Sequence, residues 1–144
     1  MDGPVGGARL IAALALGSVV AGGYPLPFRE GTGGDPGILD WAPMLQALLL
    51  DVRRGAGTAE MAARFHEGLA DGILATALAV GAPTVALSGG CFQNRRLLEA
   101  TAARLSAAGF EVLLHRRVPP GDGGVALGQV AVAAARLAGG QGGA

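Results

Sequence analysis

Two stretches of the sequence decide its fold: VALSGGCFQN, which is Val85–Asn94, and VPPGDGGVALGQ, which is Val118–Gln129. Each consists of a strand-like or extended piece, a glycine turn and the beginning of a helix. Such a turn directs free backbone N–H groups and the positive end of a helix dipole at one point, which favours a phosphate group there. Two such loops in one small chain predict a nucleotide site that is closed from two sides.

The composition excludes several classes of protein. The chain has 144 residues, which is enough for one domain or for part of a larger one. It is 51% hydrophobic and 15% charged, which fits a buried α/β unit better than a helical bundle or a disordered tail. Lys and Arg together number 11, as do Asp and Glu, so no charge excess points to nucleic acid. The single cysteine, Cys91, excludes an internal disulfide and predicts a cytoplasmic protein.

Residues 1–23 form an apolar N-terminal segment without a clear assignment. Its most apolar part, Leu10–Gly22, is too short to span a bilayer. Asp2 precedes it and Arg9 is the only basic residue before it, which disfavours a cleaved signal peptide. We therefore expect a small-residue helix that packs against another element, and we expect no membrane partner.

Apolar periodicity predicts two helices before the first glycine loop. The first covers residues 42–54, and the second covers residues 58–80. One face of the second helix carries an apolar stripe formed by Met61, Phe65, Leu69, Ile73, Ala77 and Val80. Thr58 is the predicted N-cap of the second helix, and Gly81 is its predicted stop. The Gly- and Pro-rich residues 22–40 predict an irregular loop.

The C-terminal half alternates strands and helices. Strands are predicted at Thr84–Leu87 and Phe110–Leu114, and helices at residues 93–108 and Val125–Leu137. This order requires a right-handed parallel crossover, which makes the chain an α/β protein, mostly helical with a short parallel β pair. Because two strands do not make a stable open sheet, we expect the chain to be part of a larger domain. Residues 139–144 are a predicted flexible tail.

The two loops contain the candidate binding residues. Ser88 offers a hydroxyl donor, and Gly89 and Gly90 let a ligand approach the backbone closely. Asn94 is suited to hydrogen-bond a phosphate or a sugar, and its interpretation as a simple helix cap carries equal weight. Asp122 fits a ligand for a hard or borderline cation beside a phosphate, or an N-cap of the helix that follows.

Other polar residues carry weaker signals. Arg95 and Arg96 oppose the helix dipole, so they either face an anion or lie in solvent. His66 has no second histidine four residues away and is interpreted as a packing residue. His115 either faces an anion or lies at a solvated edge. Cys91 has no neighbouring histidine and is interpreted as a small apolar filler.

The two loops, together with Gly109–Pro120 between them and the upstream AARFH of Ala62–His66, resemble the C-terminal end of the nickel–iron hydrogenase maturation carbamoyltransferases, the HypF family. Neither loop alone identifies the family, but the two loops at this spacing are highly specific for it. The resemblance implies that residues 24–138 form the C-terminal half of an actin-like ATPase-superfamily domain. This domain is related to the enzymes that place threonylcarbamoyl on tRNA adenosine.

The resemblance also implies an activity. In that family, ATP and carbamoyl phosphate give carbamoyl-adenylate, and the carbamoyl group then passes to a cysteine thiol of the partner protein HypE. Asp122 would bind a divalent metal (zinc, iron or magnesium) that bridges to the nucleotide phosphates. The residues that would contact ATP or carbamoyl-adenylate are Ser88, Gly89, Gly90, Asn94, Gly123 and Gly124.

Two departures from the family pattern narrow these expectations. Gly121 stands where the family usually has an asparagine, which removes one polar contact. The family's paired metal histidines have no counterpart, since no His-x-x-x-His occurs in the sequence. Asp122 is therefore expected to need co-ligands from the N-terminal part of the carbamoyltransferase, supplied from outside these residues. The alternatives are a truncated non-catalytic remnant or interaction piece of the family, and a free-standing α/β module that binds a small molecule.

Overall fold

The computed structural model describes residue 20 and residues 22–139. The predicted segment 1–23 and tail 139–144 therefore lie almost wholly outside the described residues. Two 3₁₀ turns, Gly90–Gln93 and Asp122–Gly124, precede the last two helices. The elements in chain order are β1 (Phe28–Arg29), β2 (Ile38–Leu39), α1 (Ala42–Arg53), α2 (Thr58–Val80), β3 (Thr84–Leu87), α3 (Arg95–Ala107), β4 (Glu111–Leu114) and α4 (Val125–Gly139).

The parallel crossover of the C-terminal half is confirmed. Strands β3 and β4 pair in parallel, with Thr84 opposite Glu111 and Leu87 opposite Leu114. Helix α3 connects them, packs against α2 and β4, and shares the apolar core with β3. The core between these elements is apolar because each contributes one buried face; its buried members are Ala77, Leu87 and Leu105.

A glycine lies at each end of helix α2, and no side chain caps its N-terminus. Gly57, in an extended conformation, occupies the N-cap position and Thr58 is the first helical residue, so the prediction of Thr58 as the cap is wrong by one position. Glu60 lies in the first turn, where its charge complements the helix dipole. Gly81 ends the helix in the left-handed region at φ +70°, as predicted.

Apart from His66, the buried face of α2 consists of alanines and glycines rather than of the large apolar residues of the predicted stripe. Met61, Phe65, Leu69 and Ile73 of that stripe are only half-buried. Small side chains permit a closer approach of neighbouring backbones than large ones do. Of that stripe, Ala77 is buried as predicted and Val80 is exposed. The other buried residues of the helix are Ala62, Ala63, His66, Gly68, Ala70 and Gly72.

The Gly- and Pro-rich segment is more ordered than the prediction of an irregular loop. Strands β1 and β2 form an antiparallel pair, in which Phe28 lies opposite Leu39 and Arg29 opposite Ile38. The N–H of Asp40 donates to the carbonyl of Pro27 at 2.9 Å and extends the pair by one bond. Composition did not reveal this pair, because two residues per strand are too few for an alternating pattern.

An ion-pair network joins α2 to α3. Glu67 accepts hydrogen bonds from Arg96, at 2.9 Å, and from Arg104, and Arg104 Nε also donates to Asp71 at 2.7 Å. Burial of Glu67 opposes its ionisation, but the hydrogen bonds and positive charges of Arg104 and Arg96 outweigh burial. The pKa of Glu67 is therefore lowered from its usual value of 4.5.

Acid is expected to weaken this network. A carboxylate with a lowered pKa in the folded state adds stability above its unfolded pKa, and this stability disappears as the pH falls through the folded pKa. The substitution Glu67→Gln should therefore lower the melting temperature at neutral pH and flatten its decline below pH 4.5. Thermal unfolding followed over that pH range measures the effect. Glu99→Gln, at the exposed pair with Arg95, is the control, and an equal flattening there would contradict the assignment.

Helix α4 has no buried residue. Leu137 exposes 74% of its surface, and the other large apolar residues of the helix expose half or more of theirs. An isolated helix of this length is only marginally stable in water, so this apolar surface calls for a covering partner. Within the described residues, no helix has the length and apolarity needed to cross a membrane.

Candidate functional site

The two glycine loops lie side by side, as the sequence predicted. Both follow the carboxyl ends of the parallel strands β3 and β4, which end at the same edge. The N–H of Gly89 donates to the carbonyl of Pro120 at 2.7 Å, so a backbone hydrogen bond joins the loops directly. Ser88 Oγ and His115 Nε2, the first residues after each strand, are 3.0 Å apart and hydrogen-bonded. This edge is where parallel α/β sheets commonly bind ligands.

The first loop is open to a ligand. Gly89 has a φ of +100°, a conformation that residues with a Cβ rarely adopt. Gly90 has an ordinary φ, and a Cβ built on it would meet nothing within 4 Å. Gly90 and Cys91 open a 3₁₀ turn, in which the first N–H groups have no acceptor of their own. The local packing therefore does not explain the glycine at position 90.

The second loop needs its glycines for its own packing. A Cβ on Gly123 would lie 2.9 Å from Pro119 Cγ, and one on Gly124 would lie 3.0 Å from the Pro119 carbonyl oxygen. A Cβ on Gly121 would meet the side chain of Gln93 from the first loop at 2.7 Å. Gly123 and Gly124 thus keep the loop compact, and their role as nucleotide contacts stays a prediction.

Asp122 is exposed at the start of the second 3₁₀ turn. Gly121 takes the N-cap position of this turn, and no side chain makes a capping hydrogen bond. Within residues 22–139, no cluster of three or more His, Cys, Asp or Glu residues could hold a metal ion. The role of Asp122 as a metal ligand remains a prediction that requires co-ligands from outside the described part of the chain.

Asn94 lies at the junction of the first loop and α3, where it caps the helix. Its Oδ1 accepts the N–H of Leu97 at 3.2 Å, which satisfies one of the free donors at the helix start. Its Nδ2 lies 2.6 Å from Nε2 of His66, which is only 2% exposed. His66 is thus the predicted packing residue, but it also has a polar partner 28 residues away that local spacing could not reveal.

The remaining candidates separate into surface and structural residues. Arg95 pairs with Glu99 at 2.7 Å on the exposed face of α3, and Arg96 pairs with Glu67 between the helices. Arg96 therefore contributes to helix packing, which the sequence did not indicate. Cys91 is a free, exposed cysteine, so its interpretation as an apolar filler is wrong.

A family model described as "Carbamoyltransferase, Kae1-like Domain, second subdomain" matches residues 7–129. The chain belongs to the carbamoyltransferase HypF family. This confirms the resemblance carried by the two loops. The architecture, mostly helical with a short parallel β pair, is that of the C-terminal part of the family's actin-like domain.

Curated members of the HypF family support this assignment. Carbamoyltransferase HypF of Rhodobacter capsulatus is 41% identical over 130 residues, which are 88% of this chain and 16% of that protein. Carbamoyltransferase HypF of Synechocystis is 40% identical over 92 residues, which are 64% of this chain and 12% of that protein. The chain therefore spans a small part of the length of these relatives.

Solved HypF structures agree with the fold. Full-length HypF in a phosphate- and nucleotide-bound form matches with a TM-score of 0.80 and 30% identity, over 90% of this chain and 17% of that one. HypF of T. kodakarensis matches with a TM-score of 0.72 over 92% of this chain and 17% of that one. At 24% identity the second structure supports the fold only.

Proposed function

We propose that this chain is the nucleotide- and metal-binding portion of a carbamoyltransferase in hydrogenase maturation. The carbamoyl group would pass from carbamoyl-adenylate to a cysteine thiol of a HypE-type protein, in the cytoplasm. The observation that carries the proposal is the pair of glycine loops joined by the Gly89–Pro120 hydrogen bond in a HypF-family fold. A phosphate- and nucleotide-bound form of a solved HypF relative supports a nucleotide in such a fold.

The residues of the first loop fit a phosphate group. The N–H groups of Gly90 and Cys91 point out of the 3₁₀ turn and would donate to phosphate oxygens. If His115 donates from Nε2 to Ser88 Oγ, the hydroxyl hydrogen of Ser88 is available to the same phosphate. The amide of Asn94 keeps one N–H for the ligand after its bond to His66. The chemistry that the bound nucleotide supplies is the activation of the carbamoyl group as an adenylate.

The second loop would complete the site from the other side. Gly121 lies against Gln93 and Gly90 of the first loop, and Gly123 and Gly124 keep the second loop compact. Asp122 offers one exposed carboxylate to a divalent metal. A carboxylate suits zinc, iron or magnesium, but one ligand does not hold such an ion. The remaining ligands would come from the N-terminal part of the carbamoyltransferase, which we propose as the chain's partner.

The substitution Gly90→Ala tests the nucleotide site. It adds a methyl group to the open side of the first loop, so we expect ATP affinity to fall about tenfold through lost phosphate contacts. Isothermal titration calorimetry measures this on the chain combined with the N-terminal remainder of a HypF relative. Gly139→Ala, at an equally open glycine on the far end of α4, should bind ATP normally. Unchanged affinity for Gly90→Ala would contradict the site.

The substitution Asp122→Ala tests the metal assignment. In the same assembly, we expect loss of the bound metal, measured by elemental analysis, and at least a tenfold loss of carbamoyl transfer. The cause is the removal of one anionic ligand from the site. Carbamoyl transfer to a HypE-type protein at the wild-type rate would show that Asp122 has no part in the site.

The exposed apolar surface of α4 favours a second candidate, a non-catalytic interaction piece of the same family. The calorimetric experiment separates the two functions. An assembly in which the chain binds its partner but no ATP would support the interaction piece and overturn the catalytic role.

A further inference from the structure

We infer that His66 is a positioning residue that orients the side-chain amide of Asn94 toward the nucleotide. The inference rests on the proposed function, because Asn94 is one of its nucleotide contacts. It adds a residue from the middle of α2 to a site otherwise formed by two loops more than 20 positions further along the chain.

The partners of the His66 ring determine its tautomer. Nδ1 lies 2.7 Å from the carbonyl oxygen of Ala62, one turn earlier in α2. A carbonyl oxygen only accepts, so the ring hydrogen is on Nδ1 and Nε2 is left as an acceptor. Nε2 then accepts a hydrogen from Nδ2 of Asn94 at 2.6 Å. The helix backbone therefore fixes which nitrogen of His66 faces the loop.

The amide of Asn94 is fixed at both of its ends. Oδ1 accepts from the N–H of Leu97, and one hydrogen of Nδ2 goes to His66. The second hydrogen of Nδ2 is then the only amide donor left for a ligand. If the amide turned over, a hydrogen would face the Leu97 N–H and the oxygen would face Nε2, so both hydrogen bonds would be lost. His66 and Leu97 together therefore select one orientation of the amide.

Simple packing does not account for this arrangement. A leucine would fill the buried position of His66, but it would leave an Asn94 hydrogen without its acceptor. The helix cap by itself, at 3.2 Å, is the longer of the two bonds that hold the amide. The shorter one comes from α2, which makes the position of the first loop depend on the packing of α2 against α3.

The test measures the ATP affinity of five variants, one of them a control, on the chain together with the remainder of a HypF relative. His66→Leu and Asn94→Ser should each bind ATP about tenfold more weakly, since each removes one member of the pair. Asn94→Ser keeps an oxygen that caps α3. The double variant should bind no more weakly than Asn94→Ser. His66→Gln, which offers an acceptor oxygen at a similar distance, should recover most of the affinity. Thr76→Val removes a hydroxyl bonded within α2 and is the control.

A readout without nucleotide complements the affinities. In ¹⁵N NMR spectra of the wild-type chain, Nδ1 of His66 should be the protonated nitrogen, and the Nε2 resonance should shift in Asn94→Ser. A protonated Nε2, or losses that multiply in the double variant, would overturn the positioning role. Absence of ATP binding by the wild-type assembly would instead overturn the proposed function. The positioning role of His66 would then be overturned together with the nucleotide site.

Discussion

Replacing Gly68 with alanine is expected to lower the free energy of unfolding by about 3 kcal/mol, although alanine normally stabilises a helix. A Cβ at this position would lie 2.3 Å from the carbonyl oxygen of Tyr24 and 3.0 Å from Met44 Cε. The segment at Tyr24 cannot retreat freely, because its N–H donates to the carbonyl of Arg64 at 3.0 Å. The added methyl group must therefore push the backbone at Tyr24 away from α2. Urea denaturation measures the resulting loss in the free energy of unfolding.

A second helical glycine provides the matched control. Gly128 lies in α4, where a Cβ would meet nothing within 4 Å. Gly128→Ala should stabilise α4 by up to about 1 kcal/mol, which is the normal preference of a helix for alanine over glycine. Circular dichroism should then show a higher helix content. A Gly68→Ala variant as stable as the wild type would show that the segment around Tyr24 does not press against α2.

Replacing Asp51 with alanine is expected to cost about 3 kcal/mol of stability as well. Asp51 is 8% exposed, accepts the hydroxyl of Tyr24 at 2.8 Å and pairs with Arg64. The guanidinium of Arg64 also lies over the Tyr24 ring, 4.4 Å from its centre. Without the carboxylate, the Tyr24 hydroxyl, at 1% residue exposure, and a two-thirds buried Arg64 side chain would both lose their partner.

One further variant isolates the contribution of the Tyr24 hydroxyl, and a second serves as a control at an exposed ion pair. Tyr24→Phe removes only the hydroxyl and should cost about 1 kcal/mol. Arg29→Ala breaks the ion pair between Arg29 and Asp40, in which the Arg29 side chain is 65% exposed. This control should change the stability by less than about 0.5 kcal/mol. Thermal unfolding of all three variants checks the order. If Asp51→Ala were no more harmful than Arg29→Ala, the contacts among Tyr24, Asp51 and Arg64 would not hold the chain at Tyr24 to α1 and α2.

Burial, followed by the bond to Asp51, also raises the pKa of Tyr24 to about 12, so the tyrosine stays a hydrogen-bond donor throughout the neutral range.

The sequence predicted the elements whose signals are local. The apolar, partly β-branched run Thr84–Leu87 between a proline and a glycine turn became β3, and Gly81 ended α2 because only glycine adopts its φ without strain. The parallel pairing of β3 and β4 followed from the intervening helix. The closeness of the two glycine loops then followed from that pairing.

Features that depend on distant residues could not be predicted in the same way. The bond between Asn94 and His66 joins positions 28 residues apart, and the network around Glu67 joins α2 to α3 over similar separations. The large apolar residues of α2 are half-buried or, at Leu78 and Val80, exposed, because alanines and glycines, which give little periodic signal, take the contact face. Cys91 is exposed because it lies in a loop turn that composition does not place.

The bare surface of α4 has a consequence for hydrogen exchange. Its backbone hydrogen bonds are supported by no buried side chain in the described part of the chain, so its amides are expected to exchange through local opening. The amides of α2 and α3 lie over the buried core and should exchange only when much of the chain unfolds. If this chain joins the rest of a carbamoyltransferase, as proposed above, a lower deuterium uptake of α4 is expected in the assembly, because its apolar surface would then be covered.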